Sequence, residues 1–128
     1  MTRAEVGSTV THRRYVPYSH AHYAGNLVDG AYSLAAFGDV ATELCIRTDG
    51  DEGLFASYSE VQFHAPVHGG DVLEVSATLA GRGRRSRQVE FAAFVVCRAA
   101  PERGPSAADV LGEPLLVTTA RGTVVAPA

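Results

Sequence analysis

Lysine is missing from this chain of 128 residues, in which all eleven basic side chains are arginine. Without a lysine amine, the protein cannot form a Schiff base or anchor pyridoxal phosphate, and it cannot supply the lysine of a P-loop. The dinucleotide-binding pattern GxGxxG and the zinc motif HExxH are absent as well. Any chemistry at this protein must therefore use carboxylates, histidines and backbone dipoles.

Cysteine is scarce, and its spacing does not suit a metal. Cys45 and Cys97 lie far apart, with no CxxC pair and no companion histidine at a zinc spacing. We expect two reduced thiols in packed elements and no metal site.

Positive charge is also in short supply, since the formal net charge is -3. Nucleic-acid binders usually carry the opposite sign, so we expect no nucleic-acid partner. The first residues contain no apolar signal segment, and no apolar run reaches the length of a membrane span. A cytoplasmic protein without a membrane partner is expected.

The chain reads as one domain, residues 1–128, with a loose terminus over residues 1–8 and a mobile loop over residues 99–114 that is rich in Pro, Gly and Ala. Runs of β-branched and alternating apolar residues predict strands between these segments. The predicted strands cover residues 9–16, 54–65, 71–81, 88–98 and 115–125.

A single long helix is predicted over residues 25–45, between the first and second strands. At 100° per residue, small and apolar side chains share one face: Leu27, Ala31, Leu34, Ala35, Gly38, Ala41 and Cys45. Polar side chains share the opposite face: Asp29, Tyr32, Asp39 and Glu43. One helix followed by four strands predicts an α+β fold in which a sheet wraps around the helix, and pairing of protomers is expected to cover the remaining surface.

Two segments resemble a known superfamily. VQFHAPVHGGDVLEVSATLAGRGRRSRQVEF resembles the hotdog-fold signature of a strand ending in proline, a GD turn, a strand, a Ser-Arg turn and a strand. AHYAGNLVDGAYSLAAFGDVATELCIRTDGDEGLF is similar to the corresponding stretch of 3-aminobutyryl-CoA and β-alanyl-CoA ammonia lyases. The resemblance covers residues 19–90.

The resemblance implies an antiparallel sheet of about five strands around one central helix, and a homodimer, or a higher oligomer built from dimers, with active sites at the dimer interface. It also implies an acyl-CoA substrate that loses or gains ammonia, with coenzyme A as part of the substrate and no separate cofactor.

This elimination needs a base for the α-proton and hydrogen-bond donors for the thioester oxygen. A helix start offers unpaired N–H groups, so Gly25 is the candidate oxyanion position, with Tyr23 and Asn26 beside it as substrate-binding candidates. The alternative is that Gly25 only eases the chain into the helix.

Several side chains are candidates for the acid–base chemistry. Asp29 lies one turn after Gly25, whereas Glu43 lies about 21 Å further along the helix. His22 occupies the place where several hotdog thioesterases carry a catalytic aspartate. We therefore predict Asp29 or His22 as the base. Glu43 would assist, reaching a neighbouring site through the dimer interface.

The remaining candidates lie further along the helix, at a strand end and in a turn. Asp39 and Glu43 form either a solvated pair or a site for the ammonium group, and His64 either reaches the site from the sheet or ends a strand. Arginines suit phosphate, so the turn with Arg84, Arg85 and Arg87 is predicted to bind the phosphates of CoA. The alternative is a solvated hairpin turn. The role of residues 49–52 is not readable.

Three other functions use the same features. A thioesterase would activate water with His22 or Asp29, and an enoyl-CoA hydratase would add water in place of ammonia. A non-catalytic acyl-thioester binding protein is the third, although it has no need for three acids along its helix.

Overall fold

One helix lies across a five-stranded antiparallel sheet in the computed structural model, which describes residues 5–127. The strands and the α-helix in chain order are β1 Thr9–Tyr15, β2 Leu27–Val28, α1 Ala31–Asp49, β3 Leu54–Phe63, β4 Val67–His68, β5 Val72–Arg82, β6 Ser86–Ala99 and β7 Ala108–Val125, with one 3-10 turn at Tyr18–His20. The sheet order is β1-β5-β6-β7-β3, so β1 and β3 are its edges, while β2 and β4 form a separate two-stranded ribbon. The α+β fold and the five strands predicted from the sequence are confirmed.

The helix begins six residues later than predicted. Gly25 and Asn26 both have positive φ angles, 75° and 61°, which a right-handed helix cannot contain. The next two residues extend and pair as β2 with β4. The helix then runs past residue 45 to Asp49, where Gly50 adopts the left-handed conformation and donates its N–H to Ile46 O, a common way to end a helix.

The buried face of α1 is also rotated from the predicted one. Ala41 and Cys45 are buried as expected, but Ala31 and Ala35 are exposed. The large side chains decide the orientation, because Phe37, Val40 and Leu44 lose the most water contact against the sheet. The buried helix residues are Ser33, Ala36, Phe37, Val40, Ala41, Leu44, Cys45 and Thr48.

The sheet buries one face against this helix. Alternate residues of its two central strands point inward: Leu73, Val75, Ala77 and Leu79 of β5, and Val89, Phe91, Ala93 and Val95 of β6. The alternation in the sequence predicted this pattern.

Two segments differ from the sequence predictions. The loop predicted over residues 99–114 spans only residues 100–107, because β7 begins at Ala108 and pairs Ala108 with Ala99 and Asp109 with Arg98. Within the predicted loose terminus, the Gly7 N–H donates to Leu79 O and Ser8 O accepts from Leu79, while residues 1–4 lie outside the described residues. No helix within residues 5–127 is long and apolar enough to cross a membrane.

Candidate functional site

A pocket of about 390 Å³ lies at the start of α1. Its walls come from the end of β2, the first turn of the helix, the connection between β3 and β4, and the inner face of β7. The lining residues are Val28, Asp29, Gly30, Ser33, Phe63, His64, Ala65, Pro66, Val67 and Thr118. The pocket therefore joins the positive end of a helix dipole to a carboxylate and to hydroxyl groups.

Asp29 is held in place by two contacts. Its Oδ1 accepts the Tyr32 N–H at 3.2 Å, which caps the first turn of α1, and its Oδ2 lies 2.6 Å from His22 Nε2. The hydrogen bond from His22 lowers the pKa of Asp29 against the opposing effect of burial. Asp29 is therefore ionised at neutral pH, and the structure joins the two residues that the sequence offered as alternative bases.

The predicted helix start at Gly25 is wrong, so the helix-terminus argument for an oxyanion position no longer applies to that residue. The unpaired N–H groups of the first turn lie at Gly30 and Ala31, and Gly30 lines the pocket. A Cβ added at Gly30 would lie 2.6 Å from two carbon atoms of the Phe63 ring. The close approach of Phe63 therefore depends on glycine at this position.

Gly25 and Asn26 line a second pocket, of about 560 Å³, between the segment after β1 and the turn from β6 to β7. Asn26 Nδ2 donates to Gly69 O at 2.9 Å and holds these turns together. Tyr23 is exposed, and its ring lies 4.5 Å from that of His22, centroid to centroid. These three residues, predicted to bind substrate, therefore lie outside the lining of the first pocket.

Glu43 and Asp39 lie away from the pocket, further along α1. Glu43 Oε1 is 2.8 Å from His12 Nε2, and its Oε2 accepts from Arg47 Nε at 2.8 Å. These two partners, His12 first, lower the pKa of Glu43. Asp39 accepts from Arg14 at 2.8 Å. Both acids are thus ion-paired within their own subunit, and neither reaches Asp29 there.

His64 does line the pocket, as the sequence allowed. Its Nε2 lies 2.8 Å from Thr119 Oγ1, which fixes the ring at the end of β3. The side chain is exposed to solvent on one side.

Arg87, one of the three arginines predicted to bind phosphate, is buried and already paired with a carboxylate. Its side chain is 8% exposed and donates to both carboxylate oxygens of Asp49, from Nη2 at 2.7 Å and from Nε at 2.9 Å. The bond from Arg87 lowers the pKa of Asp49. Arg84 and Arg85 are exposed in the turn before β6, and Arg85 Nε donates to Ala126 O. The ion pair between Asp49 and Arg87 therefore holds the C-terminal end of α1 against the sheet.

A buried pair of hydroxyl groups in the pocket was not predicted from the sequence. Thr118 Oγ1 donates to Ser33 Oγ at 3.0 Å, and both residues are at most 2% exposed. They are 85 positions apart, and each is unremarkable in its own segment. Ser33 carried one local signal, as a polar residue beside the apolar stripe of the helix.

Known proteins share this fold and much of this sequence. A family model described as the thioesterase superfamily matches residues 25–96. The 3-aminobutyryl-CoA ammonia lyase of Acetoanaerobium sticklandii is 50% identical over 107 residues, which are 84% of this chain and 85% of the relative.

Solved structures agree with these matches. The β-alanyl-CoA:ammonia lyase from Clostridium propionicum superimposes with a TM-score of 0.88 at 36% identity, over 94% of this chain and 86% of that chain. A hexameric hotdog fold thioesterase of Campylobacter jejuni has a TM-score of 0.72 at 18% identity, over 91% of this chain and 81% of that chain, and shows the shared fold. The chain is a hotdog-fold member of the thioesterase superfamily and belongs to the family of the 3-aminobutyryl-CoA ammonia lyase.

Proposed function

We propose that this protein is a carbon–nitrogen lyase that interconverts a 3-aminoacyl-CoA with the 2-enoyl-CoA and ammonia. The observation that carries the proposal is the 50% identity, over most of both chains, with a 3-aminobutyryl-CoA ammonia lyase. The pocket has the two parts that the reaction requires, an ionised carboxylate and a helix start. Coenzyme A is part of the substrate, and the proposed reaction uses no separate cofactor.

Asp29 takes the α-proton in this reaction. The C–H electron pair enters the thioester as an enolate, whose oxygen faces the N–H groups at Gly30 and Ala31. The enolate then reforms the carbonyl, makes the α,β double bond and expels the β-ammonium as ammonia. Asp29 lines the pocket and His22 does not, so we assign the base to Asp29 and proton exchange with solvent to His22, which contacts Asp29 from the exposed side.

We propose that the active form is a homodimer, or a larger assembly of dimers, in which two subunits pair along β3. This strand is a sheet edge with one row of unpaired backbone groups, and Leu54 and Phe63 are exposed on it. An antiparallel partner strand would continue the sheet and carry the partner's helix beside α1. A dimer of this kind would bring Glu43 of one subunit towards the pocket of the other, where it would bind the ammonium group together with Asp39.

Sedimentation equilibrium at micromolar concentration should therefore give about twice the chain mass of 13.5 kDa, or an even multiple of it. A single species at the monomer mass would contradict the dimer, and with it the shared site.

Arg84 and Arg85 are the proposed contacts for the CoA phosphates. They lie beyond the C-terminal end of α1, about 27 Å from its start, so they would serve the pocket of a partner subunit. Replacing both by alanine should raise KM for a CoA thioester far more than for the matching pantetheine thioester. Arg13→Ala, which removes an exposed arginine on β1, is the matched control. Equal effects on both substrates would leave this turn without a role in CoA binding.

We also place the protein in the cytoplasm. Cys45 and Cys97 are both free, which suits a reducing compartment. Burial raises the pKa of Cys45 to about 11, so its thiol remains protonated and does not act as a nucleophile.

The function is tested by incubating the protein with crotonyl-CoA and ammonium and following the products by mass spectrometry. Formation of 3-aminobutyryl-CoA supports the proposal. The match to the thioesterase superfamily makes hydrolysis the second candidate, and free CoA as the main product would replace the lyase with a thioesterase. Addition of water to the double bond would indicate a hydratase.

A further inference from the structure

Ser33 and Thr118 form the buried hydroxyl pair at the floor of the pocket, and one of their two hydroxyl hydrogens has no acceptor among the described residues. Thr118 donates to Ser33 Oγ, so that oxygen acts as an acceptor in this bond. The Ser33 hydrogen is donated to no oxygen within residues 5–127. A buried hydroxyl donor without an acceptor is costly unless a ligand supplies one.

Ser33 does not donate its hydroxyl hydrogen to a carbonyl oxygen of the helix backbone. Serine and threonine inside a helix often donate to the carbonyl oxygen four residues earlier, and Thr42 does so in this helix, to Gly38 O at 2.9 Å. Ser33 makes no such bond to Asp29 O; that oxygen shares the Tyr32 N–H, at 3.2 Å, with Asp29 Oδ1. The Ser33 hydrogen is therefore left for the pocket.

The position of Ser33 on the helix determines which part of the substrate its hydroxyl hydrogen can contact. Ser33 lies in the first turn of α1 and Asp29 lies two residues before the helix begins, and both line the pocket. In a thioester whose α-carbon faces the Asp29 carboxylate, the carbonyl oxygen lies two bonds from that carbon. A hydroxyl donor suits that oxygen, whereas an ammonium group would need an acceptor.

We propose that Ser33 is a catalytic residue that donates its hydroxyl hydrogen to the thioester oxygen, and that Thr118 is the positioning residue that aims it. This inference rests on the proposed function. Ser33 then adds a side-chain donor to the backbone N–H groups of the helix start, and its bond strengthens as the oxygen becomes an enolate. Thr118 contributes by donating to one of the two lone pairs of Ser33 Oγ, which directs the hydroxyl hydrogen towards the pocket.

Ser33→Ala should lower kcat by about 10²-fold with a smaller change in KM, as expected for loss of one oxyanion donor. Thr118→Val should lower kcat less, and Thr118→Ser should restore it. Adding Thr118→Val to Ser33→Ala should cost nothing further, because Thr118 acts only through Ser33. Thr48→Val removes a buried hydroxyl at the other end of the helix and serves as the control for general destabilisation.

A second measurement separates this inference from the proposed reaction. Butyryl-CoA has no leaving group at its β-carbon, so the infrared stretch of its bound thioester carbonyl reports hydrogen bonding whichever reaction the enzyme performs. The stretch should lie at lower frequency in the wild type and in Thr48→Val than in Ser33→Ala. Equal frequencies in wild type and Ser33→Ala, or additive losses of kcat in the double variant, would overturn the assignment. If the enzyme adds no amine but the carbonyl frequency still differs between wild type and Ser33→Ala, only the proposed lyase function would be overturned, and the role of Ser33 would stand.

Discussion

Asp29→Asn should lower kcat for elimination by at least about 10²-fold, the usual contribution of a general base. Asparagine keeps the size of the side chain and can still cap the helix by accepting the Tyr32 N–H, so the fold is expected to survive. What is lost is the ability to accept a proton. Exchange of the substrate α-hydrogen with deuterated water should fall in parallel, since that exchange reports proton abstraction without product release.

The control for this change is Asp109→Asn, which removes an exposed carboxylate paired with Arg103 on the hairpin of β6 and β7 and should leave both rates unchanged. If Asp29→Asn keeps the wild-type rates of elimination and of α-hydrogen exchange while His22→Asn loses both, then the base is His22.

The pH profile gives a further check on the same pair. The hydrogen bond from His22 lowers the pKa of Asp29, so the wild type should keep its base ionised well into the acid range. His22→Ala removes the largest cause of that shift, and the pKa of Asp29 should rise. The acid limb of kcat should therefore move to higher pH in His22→Ala, and a shift to lower pH would contradict the pairing.

Arg87→Met should lower the free energy of unfolding by about 3–5 kcal/mol, the range expected when one partner of a buried ion pair is removed. Methionine keeps much of the aliphatic volume but leaves the Asp49 carboxylate, 7% exposed, without its main partner. Arg82 Nη2, 3.3 Å from Asp49 Oδ1, offers only partial compensation. Urea unfolding at fixed protein concentration measures the effect, and Arg85→Met in the same turn is the control that should change little.

The effect of Arg87→Met should depend on pH in a definite direction. Asp49 has a lowered pKa when folded, so the stability it contributes is present above its unfolded pKa and is lost as the pH falls through the folded value. The gap between wild type and variant should therefore be widest at neutral pH and narrow in acid, where the variant protonates Asp49. A gap of constant size would show that lost packing, not charge, causes the destabilisation.

The strands were predictable because alternation is a local property of the chain, and β5 was found to within one residue at each end. The start of the helix was not, because its delay depends on two consecutive left-handed residues and on pairing of β2 with a segment 40 residues away. Asp29 and His22 were named as alternative bases from their positions near the expected helix start, and the structure places them in contact at 2.6 Å, while their catalytic roles stay a prediction. The partnership of Arg87 with Asp49 was missed, because a basic turn looks the same whether one of its arginines is solvated or buried.

The contact between Gly30 and Phe63 links two positions that are 33 residues apart. A side chain at residue 30 would push the Phe63 ring off the pocket wall, whereas a smaller residue at 63 would open room beside the acyl group. Among descendants of this sequence, the two positions are therefore expected to change together. Glycine should persist wherever residue 63 stays aromatic, and a larger residue at 30 should accompany a smaller one at 63, with a different acyl chain as the outcome.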